Sequence, residues 1–541
     1  MAGITVFEAK TIHTMDLNTP QATHVAVRDG RILAVGDATC ADAWGDVTLD
    51  TTLRDTVLLP GFVEGHAHMM AGAIWDYTYA GYHDRIDPDG KLWKGLASPN
   101  DVVERLREAD RVLPDKEPLI GWGFDPIFLP GDRLSRHDLD RVSTSRPIAI
   151  IYSNFHLMCV NSVALEIANY NAATNVEGVI KGEDGTPTGE LQEMAAMFPI
   201  MRRLGIDFRA LSQRESAIRS YAQVATRAGV TTVTDLYSQL EDEDLDTMIA
   251  ITGEDDFPIR IVPALAASGD PASLAQRALD LKARSTEKLR LGAVKIMTDG
   301  SIQGWTARVK WPGYIGGRAN GIWNMAPEQI AQTCAALHAA GVQMHIHVNG
   351  DEASEVVINA LEEAMRANPW PSHRHVLQHG QLMGEDQFRR CKELGLCVNL
   401  FANHLWYFGD QHVALTVGPD RARRMNAVRS ALDTGLTVAI HSDAPVTPLG
   451  PLFTAWCAVN RVTQSGQVLG EAQRISVPEA LRAITLGAAQ TLKLDAEIGS
   501  ITPGKRADFA ILGADPFEAK PEALKDVPVL GTVMSGRTHL L

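Results

Sequence analysis

Along most of this chain short apolar runs alternate with stretches whose apolar residues recur every three to four positions. Apolar runs lie at Ile148–Tyr152, Val230–Thr234, Ile259–Ala264, Leu291–Met297, Val342–Val348, His375–His379, Cys397–Leu400 and Thr437–His441. Between most of them the helical period appears, over Glu215–Arg227, Pro271–Arg284, Pro327–Ala340, Ala353–Ala367 and Asp386–Leu394. Short runs read as buried strands and the periodic stretches as helices packed on them. Repeated strand-helix units imply parallel strands joined by right-handed crossovers, and about eight such units point to a sheet closed into a barrel. A doubly wound open sheet is the alternative. No Gly-x-Gly-x-x-Gly follows a strand, which weakens that alternative and any dinucleotide role.

The two ends have a different texture. Ile4–Phe7, His24–Val27 and Arg31–Val35 alternate, and Arg28-Asp29-Gly30 supplies a hairpin turn between the last two. Near the other end come Gly499-Ser-Ile-Thr-Pro-Gly-Lys-Arg-Ala-Asp-Phe-Ala-Ile-Leu, then Val529–Val533 and the turn Ser535-Gly536-Arg537. Both ends are therefore expected in one β layer, since domain termini often lie close together. The expected division is a composite β domain of residues 1–58 and 492–541 around a barrel of residues 59–491. Residues from about 80 to 210 are too many, and too rich in Gly and Pro, for one crossover, and are expected as an inserted lobe beside the barrel mouth.

Composition narrows the class. The chain has 541 residues, with 45% hydrophobic and 21% charged, the balance of an ordinary soluble globular enzyme. A net charge of −16 argues against nucleic acid or an anionic membrane surface as partner. Cys40, Cys159, Cys334, Cys391, Cys397 and Cys457 are scattered, with no Cys-x-x-Cys pair, as in reduced thiols of a cytoplasmic protein. Neither a signal peptide nor a membrane-spanning stretch is expected.

Candidate chemistry collects where the apolar runs stop. Val57-Leu-Leu-Pro60 reads as a buried strand closed by Pro-Gly, after which His66 and His68, two apart, face the same way. They read either as half a metal site or as hydrogen-bonded surface histidines. Lys295 lies inside Leu291-Gly-Ala-Val-Lys-Ile-Met, where an ionised ammonium is expensive to bury; the alternatives are snorkelling and pairing with Asp299. His345 and His347 share a strand face as ligands or inner-layer residues. His379 ends Val376-Leu-Gln-His as a ligand or a satisfied core histidine. Asp443, just past Val438-Ala-Ile-His-Ser, is a ligand or a helix N-cap. Five strands that each end in a metal-competent or ionisable residue favour a site, because parallel barrels build active sites at that face.

His66-x-His68, a strand Lys, two single strand-end His residues and a final Asp resemble the ligand order of the amidohydrolase superfamily. Pro60-Gly-Phe-Val-Glu-Gly-His-Ala-His68, Val294-Lys-Ile-Met-Thr-Asp-Gly-Ser301, His347-Val-Asn-Gly-Asp351, Gln378-His379-Gly-Gln381, Ser442-Asp443-Ala-Pro-Val446 and Gly499 to Asp508 are similar to the family 3 branch typified by N-substituted formamide deformylase. The resemblance implies a distorted (β/α)8 barrel, a β-sandwich assembled from both termini, and an insertion after the first barrel strand. It implies that His66, His68 and Asp443 hold the more buried metal and that His347 and His379 hold the more exposed one. Lys295 would bridge the two as a carbamate. Zinc suits imidazole and carboxylate ligands, with manganese, iron or cobalt as alternatives. One departure stands out: the branch carries Asp-Gly-Ser-Leu-Gly-Ser-Arg-Thr-Ala where this chain has Asp299-Gly-Ser-Ile-Gln-Gly-Trp305-Thr-Ala. Trp305 removes a cationic anchor and with it the case for an anionic substrate.

The function implied is hydrolysis of an amide-type C–N bond, with Asp443 as general base and then acid. His156, in Ser153-Asn-Phe-His, is a candidate to reach the substrate carbonyl or else a lobe-packing residue. Asp299 is a candidate at the edge of the metal shell and the substrate. Trp75, Trp122, Phe124 and Trp305 fall in presumed strand-end loops and the insertion, favouring a hydrophobic or aromatic substituent on an N-substituted amide or formamide. Ester, lactone or cyclic amide hydrolysis is the nearest alternative, followed by metal-dependent decarboxylation and a non-catalytic scaffold. The expected partner is a small-molecule substrate, and the expected assembly is a homo-oligomer, a dimer, which no pattern in the chain specifies.

Overall fold

The computed structural model describes residues 3–129 and 133–541. Eight strands form one parallel sheet: β1 (Phe62–Glu64), β2 (Val230–Ser238), β3 (Arg260–Ala266), β4 (Ala293–Met297), β5 (Met344–Val348), β6 (Val376–His379), β7 (Cys397–Leu400) and β8 (Thr437–Ile440), side by side in chain order. Buried helices cross over between neighbours, including Glu215–Arg227, Pro271–Ala283, Pro327–Ala339, Asp351–Ala367 and Glu385–Leu394. Burial on both faces is why these strands read as continuous apolar runs without alternation.

The sheet is curled, and its ladder is open between β8 and β1. Across that gap the chain just past β1 meets the chain just past β8: the Asp443 amide donates to the His66 carbonyl at 3.0 Å, and the His68 amide to the Ala444 carbonyl at 2.8 Å. Lower down, the Val63 amide bonds to the Ile484 carbonyl at 2.9 Å. Ala488 and Ala489 of the helix Leu486–Thr491 pack there against Val63 and Ala439.

Two strand assignments differ from the sequence reading. Ile148–Tyr152 is not in this sheet; it pairs with Leu119–Phe124 and Leu157–Val160 in a separate six-stranded sheet built within residues 78–192. That lobe has cores of its own around Trp122 and Met197 and around Phe124 and Tyr152. Likewise Val57–Pro60 is not the strand that carries His66. It pairs in parallel with Ile4–His13 and antiparallel with Phe509–Leu512, and the first barrel strand begins only after Gly61. Gly61 makes this switch of sheets possible, because a Cβ there would collide with the Thr231 side chain.

Residues near both ends share one eight-stranded sheet, joined where Phe509–Leu512 lies against Val57–Pro60. Its strands follow one hydrogen-bonded path, with Val47–Asp50 branching off it against Ile4–His13. It is tied to the barrel by a buried ion pair: Arg260 Nη1 donates to Asp508 Oδ2 at 2.8 Å and to Thr232 Oγ1 at 3.0 Å. The other Asp508 oxygen accepts the Ser535 amide at 2.8 Å. Among the described residues no helix is long and apolar enough to cross a membrane, and all six cysteines are free thiols.

Candidate metal centre

The centre is built from the ends of β1, β4, β5, β6 and β8. His66 and His68 follow β1 and meet Asp443 from beyond β8, with His68 Nε2 at 3.1 Å and His66 Nε2 at 3.4 Å from Asp443 Oδ1. His379 Nδ1 lies 3.7 Å from the other Asp443 oxygen, and its ring centroid is 4.4 Å from that of His66 and 4.6 Å from that of His347. Two triads have donor atoms close enough for one ion each, namely His66, His68 and Asp443, and His66, His379 and His441. His347 adjoins the second triad through His379 and is a member of neither.

Asp443 and His379 both adopt positive φ, +55° and +73°. Left-handed backbone at non-glycine residues is costly and concentrates at functional sites. No helix begins at Asp443 to be capped; the next starts at Pro451.

Donor chemistry fits a bound divalent ion. Lys295 Nζ, His379 Nδ1, both His441 ring nitrogens and Asp443 Oδ1 are buried without a hydrogen-bond partner among the described residues, a costly arrangement unless something ligates them. Burial, aided by the nearby Lys295 ammonium, holds His66, His347 and His379 well below the usual imidazole range, so all three are neutral and able to ligate. Burial pushes the Asp443 carboxyl up, but its contact with the His68 ring and the nearby Lys295 outweigh burial and hold it below the usual carboxylate range. Burial lowers Lys295 to about 7, against the opposing pull of Asp443.

Further residues orient the ligands. Gln378 Oε1 accepts from His66 Nδ1 at 2.8 Å, leaving Nε2 turned to Asp443, while its amide nitrogen donates to His345 Nδ1 at 2.9 Å. His345 is thus an inner-layer residue bonded to a ligand's support. Glu64, buried and pushed up to about 8 by its burial, accepts the Ser442 hydroxyl at 2.8 Å and the His66 amide at 3.3 Å, bracing the two strand ends together. The signal for Gln378 and His441 was present, since each neighbours a candidate ligand in an apolar strand run, but only the curl of the sheet shows which way they face.

Asp299 has its carboxylate engaged by three backbone amides, Asn349 at 3.1 Å and Gly350 and Arg308 at 2.9 Å each, and it lies 3.4 Å from His347 Nε2. It is wholly buried and braces the loop beside His347. His347 Nε2 donates to the Gly300 carbonyl at 3.1 Å, which turns Nδ1 toward the centre. His156 descends from the lobe to place its ring 5.6 Å from that of His347.

The aromatic candidates divide. Trp75 and Trp122 line a cavity of about 440 Å³ together with Arg85, Ala444 and Pro445. Phe124 does not line it; its ring packs at 5.1 Å on Tyr152 in the lobe core. Trp305 carries two guanidiniums over its ring, Arg318 at 4.1 Å and Arg133 at 5.4 Å, so its presence does not strip the region of positive charge as the sequence led us to expect. Arg133 is itself paired with Glu190.

A parallel barrel sheet with histidines, a lysine and an aspartate converging at its C-terminal end defines a metal-dependent hydrolase. The chain belongs to the amidohydrolase family, whose model matches residues 52–539. It is 30% identical to the protein LONG AFTER FAR-RED 3 of Arabidopsis thaliana, over 97% of this chain and 90% of that one. It is 27% identical to N-substituted formamide deformylase of Arthrobacter pascens, over 97% and 96%. Among solved structures it resembles an uncharacterized metal-dependent hydrolase of Pyrococcus horikoshii, with TM-score 0.72 and 20% identity over 96% of this chain and 99% of that one.

Proposed function

We propose that this enzyme hydrolyses an N-substituted amide, a formamide above all, bearing a hydrophobic or aromatic group. The observation that carries the reading is Asp443 Oδ1, buried without a hydrogen-bond partner and within 3.4 Å of both His66 and His68. In that position the carboxylate can ligate an ion and still accept a proton. His66, His68 and Asp443 would hold one metal, and His379 and His347 a second, with His441 within reach of His66 and His379. Zinc fits this imidazole and carboxylate set. Lys295, uncharged for part of the time at neutral pH, is competent to become a bridging carbamate. When bound, the metal supplies Lewis acidity and lowers the pKa of water toward neutrality.

The remaining chemistry belongs to side chains. Asp443 takes the proton of the attacking water and returns it to the departing amine, which must leave as a neutral species. His156 faces the carbonyl from the lobe side. Trp75 and Trp122 receive the hydrophobic substituent in the cleft behind Ala444 and Pro445.

The test is turnover by the zinc-loaded enzyme of N-alkyl and N-aryl formamides against matched acetamides, aryl esters and lactones. Formamides should be cleaved with the highest kcat/KM. Faster turnover of esters or lactones throughout would replace the amide reading with the esterase one.

A further inference from the structure

Outside the ligand set, one buried carboxylate has a geometry that general packing does not account for. Glu193 stands at the end of the lobe strand Pro187–Gln192 with φ +60°, a left-handed conformation uncommon for a residue with a side chain. Two hydrogen bonds join it to His156: its amide donates to the His156 carbonyl at 2.7 Å, and its Oε2 accepts from His156 Nδ1 at 2.9 Å. Phe155, just before His156, is also left-handed, at φ +58°. Glu193 itself and the residue before His156 are thus both set in costly backbone conformations at this contact.

The second carboxylate oxygen points at the barrel. Among the described residues Glu193 Oε1 is buried without a hydrogen-bond partner, and it sits against Gly300, where any Cβ would collide with it and with Thr306 Oγ1. Gly300 is the residue whose carbonyl accepts from the metal-ligand candidate His347. Glu193 therefore lies between the lobe histidine and the loop that orients His347. Other groups acting on His156 are Asp299 and Asp443, both on the barrel side.

We infer that Glu193 is a positioning residue that holds His156 by its Nδ1–H and so turns Nε2 across the barrel mouth, from where a protonated Nε2 donates to the oxygen of the scissile carbonyl. The argument is that of any oriented imidazole: the hydrogen bond made by one nitrogen decides the state and direction of the other. The inference rests on the amide-hydrolase reading for what His156 faces, but the His156–Glu193 geometry stands apart from it.

The test uses full-length, zinc-loaded protein. Long-range 1H–15N correlation of 15N-histidine-labelled enzyme, with His156 assigned by His156→Gln, reads which nitrogen carries the proton. Nδ1 should be protonated in the parent and in Glu193→Gln, whose amide oxygen still accepts, and should lose that preference in Glu193→Ala. In turnover, Glu193→Ala should lower kcat about 10- to 100-fold, the usual effect of losing an orienting partner, with KM within about twofold and metal content unchanged. Added to His156→Ala, it should cost nothing further, because a residue acting through another is silent once that other is gone. An unchanged His156 proton in Glu193→Ala, or a multiplicative loss in the double variant, would overturn the inference. Should the parent cleave no amide at all, the functional reading fails while the proton position still decides the role of Glu193.

Discussion

The Asp443 amide donates to the His66 carbonyl at 3.0 Å, and the two side chains then face each other with Asp443 Oδ1 3.4 Å from His66 Nε2. One backbone hydrogen bond thus ties the last strand end to the first and sets the ligand pair. Closure of the sheet and assembly of the centre are the same event, and residues near that joint carry both stability and chemistry.

Asp443→Asn keeps the shape of the side chain and part of its ligating ability but removes a base that works near neutral pH. The variant should keep most of its metal by elemental analysis while losing several orders of magnitude in kcat. Full turnover with full metal would remove Asp443 from the proton transfer.

Gln378→Leu removes the acceptor that turns His66 Nε2 toward Asp443. Partners that orient a ligand are worth about 10- to 100-fold in metal affinity or activity. Competition with a chromogenic chelator should show zinc affinity reduced by that factor, with His345→Ala milder because His345 touches only the far side of Gln378.

Reconstitution of metal-free enzyme should depend on pH through Lys295. The group is lowered from 10.5 to about 7, so below that pH it is mostly the ammonium, and above it mostly the free amine that carbon dioxide attacks. With zinc and 13C-bicarbonate, carbamate signal and recovered activity should therefore rise together from pH 6 to pH 8 and be about tenfold lower one unit below the midpoint than on the plateau. Equal recovery at both ends, or no carbamate carbon by NMR, would exclude the bridge.

Asp508→Ala strands the Arg260 guanidinium, buried between barrel and terminal sheet, without its carboxylate. Breaking such a pair from one side costs about 3–5 kcal/mol, whereas replacing both partners with apolar residues of similar volume is often close to neutral. Chemical denaturation should show the loss in Asp508→Ala and its partial recovery in Arg260→Met with Asp508→Leu.

Seven of the apolar runs became barrel strands because burial on both faces leaves a mark in composition that needs no knowledge of neighbours. The run Ile148–Tyr152 has the same mark, yet it serves the lobe, since an interior strand of any sheet is equally apolar. Phe62–Glu64 was missed as a strand because three residues beside a glycine carry no period to read. The strand-end placement of His66, His68, His379 and Asp443 was legible from residue type and spacing. Which way Gln378 and His441 face, and what Glu64 and Glu193 touch, was not, because that is decided by what lies across the sheet or the lobe from them.

What the amino-acid order determined by itself was local: which segments are strands, where helices lie between them, and which residue types stand at the strand ends. What only the tertiary structure decided was which of those ends face one another. That choice depends on the curl of the sheet, the Gly61 switch between sheets and the descent of the lobe onto the barrel mouth. Each brings together residues hundreds of positions apart, and no pattern read along the chain encodes a distance across it.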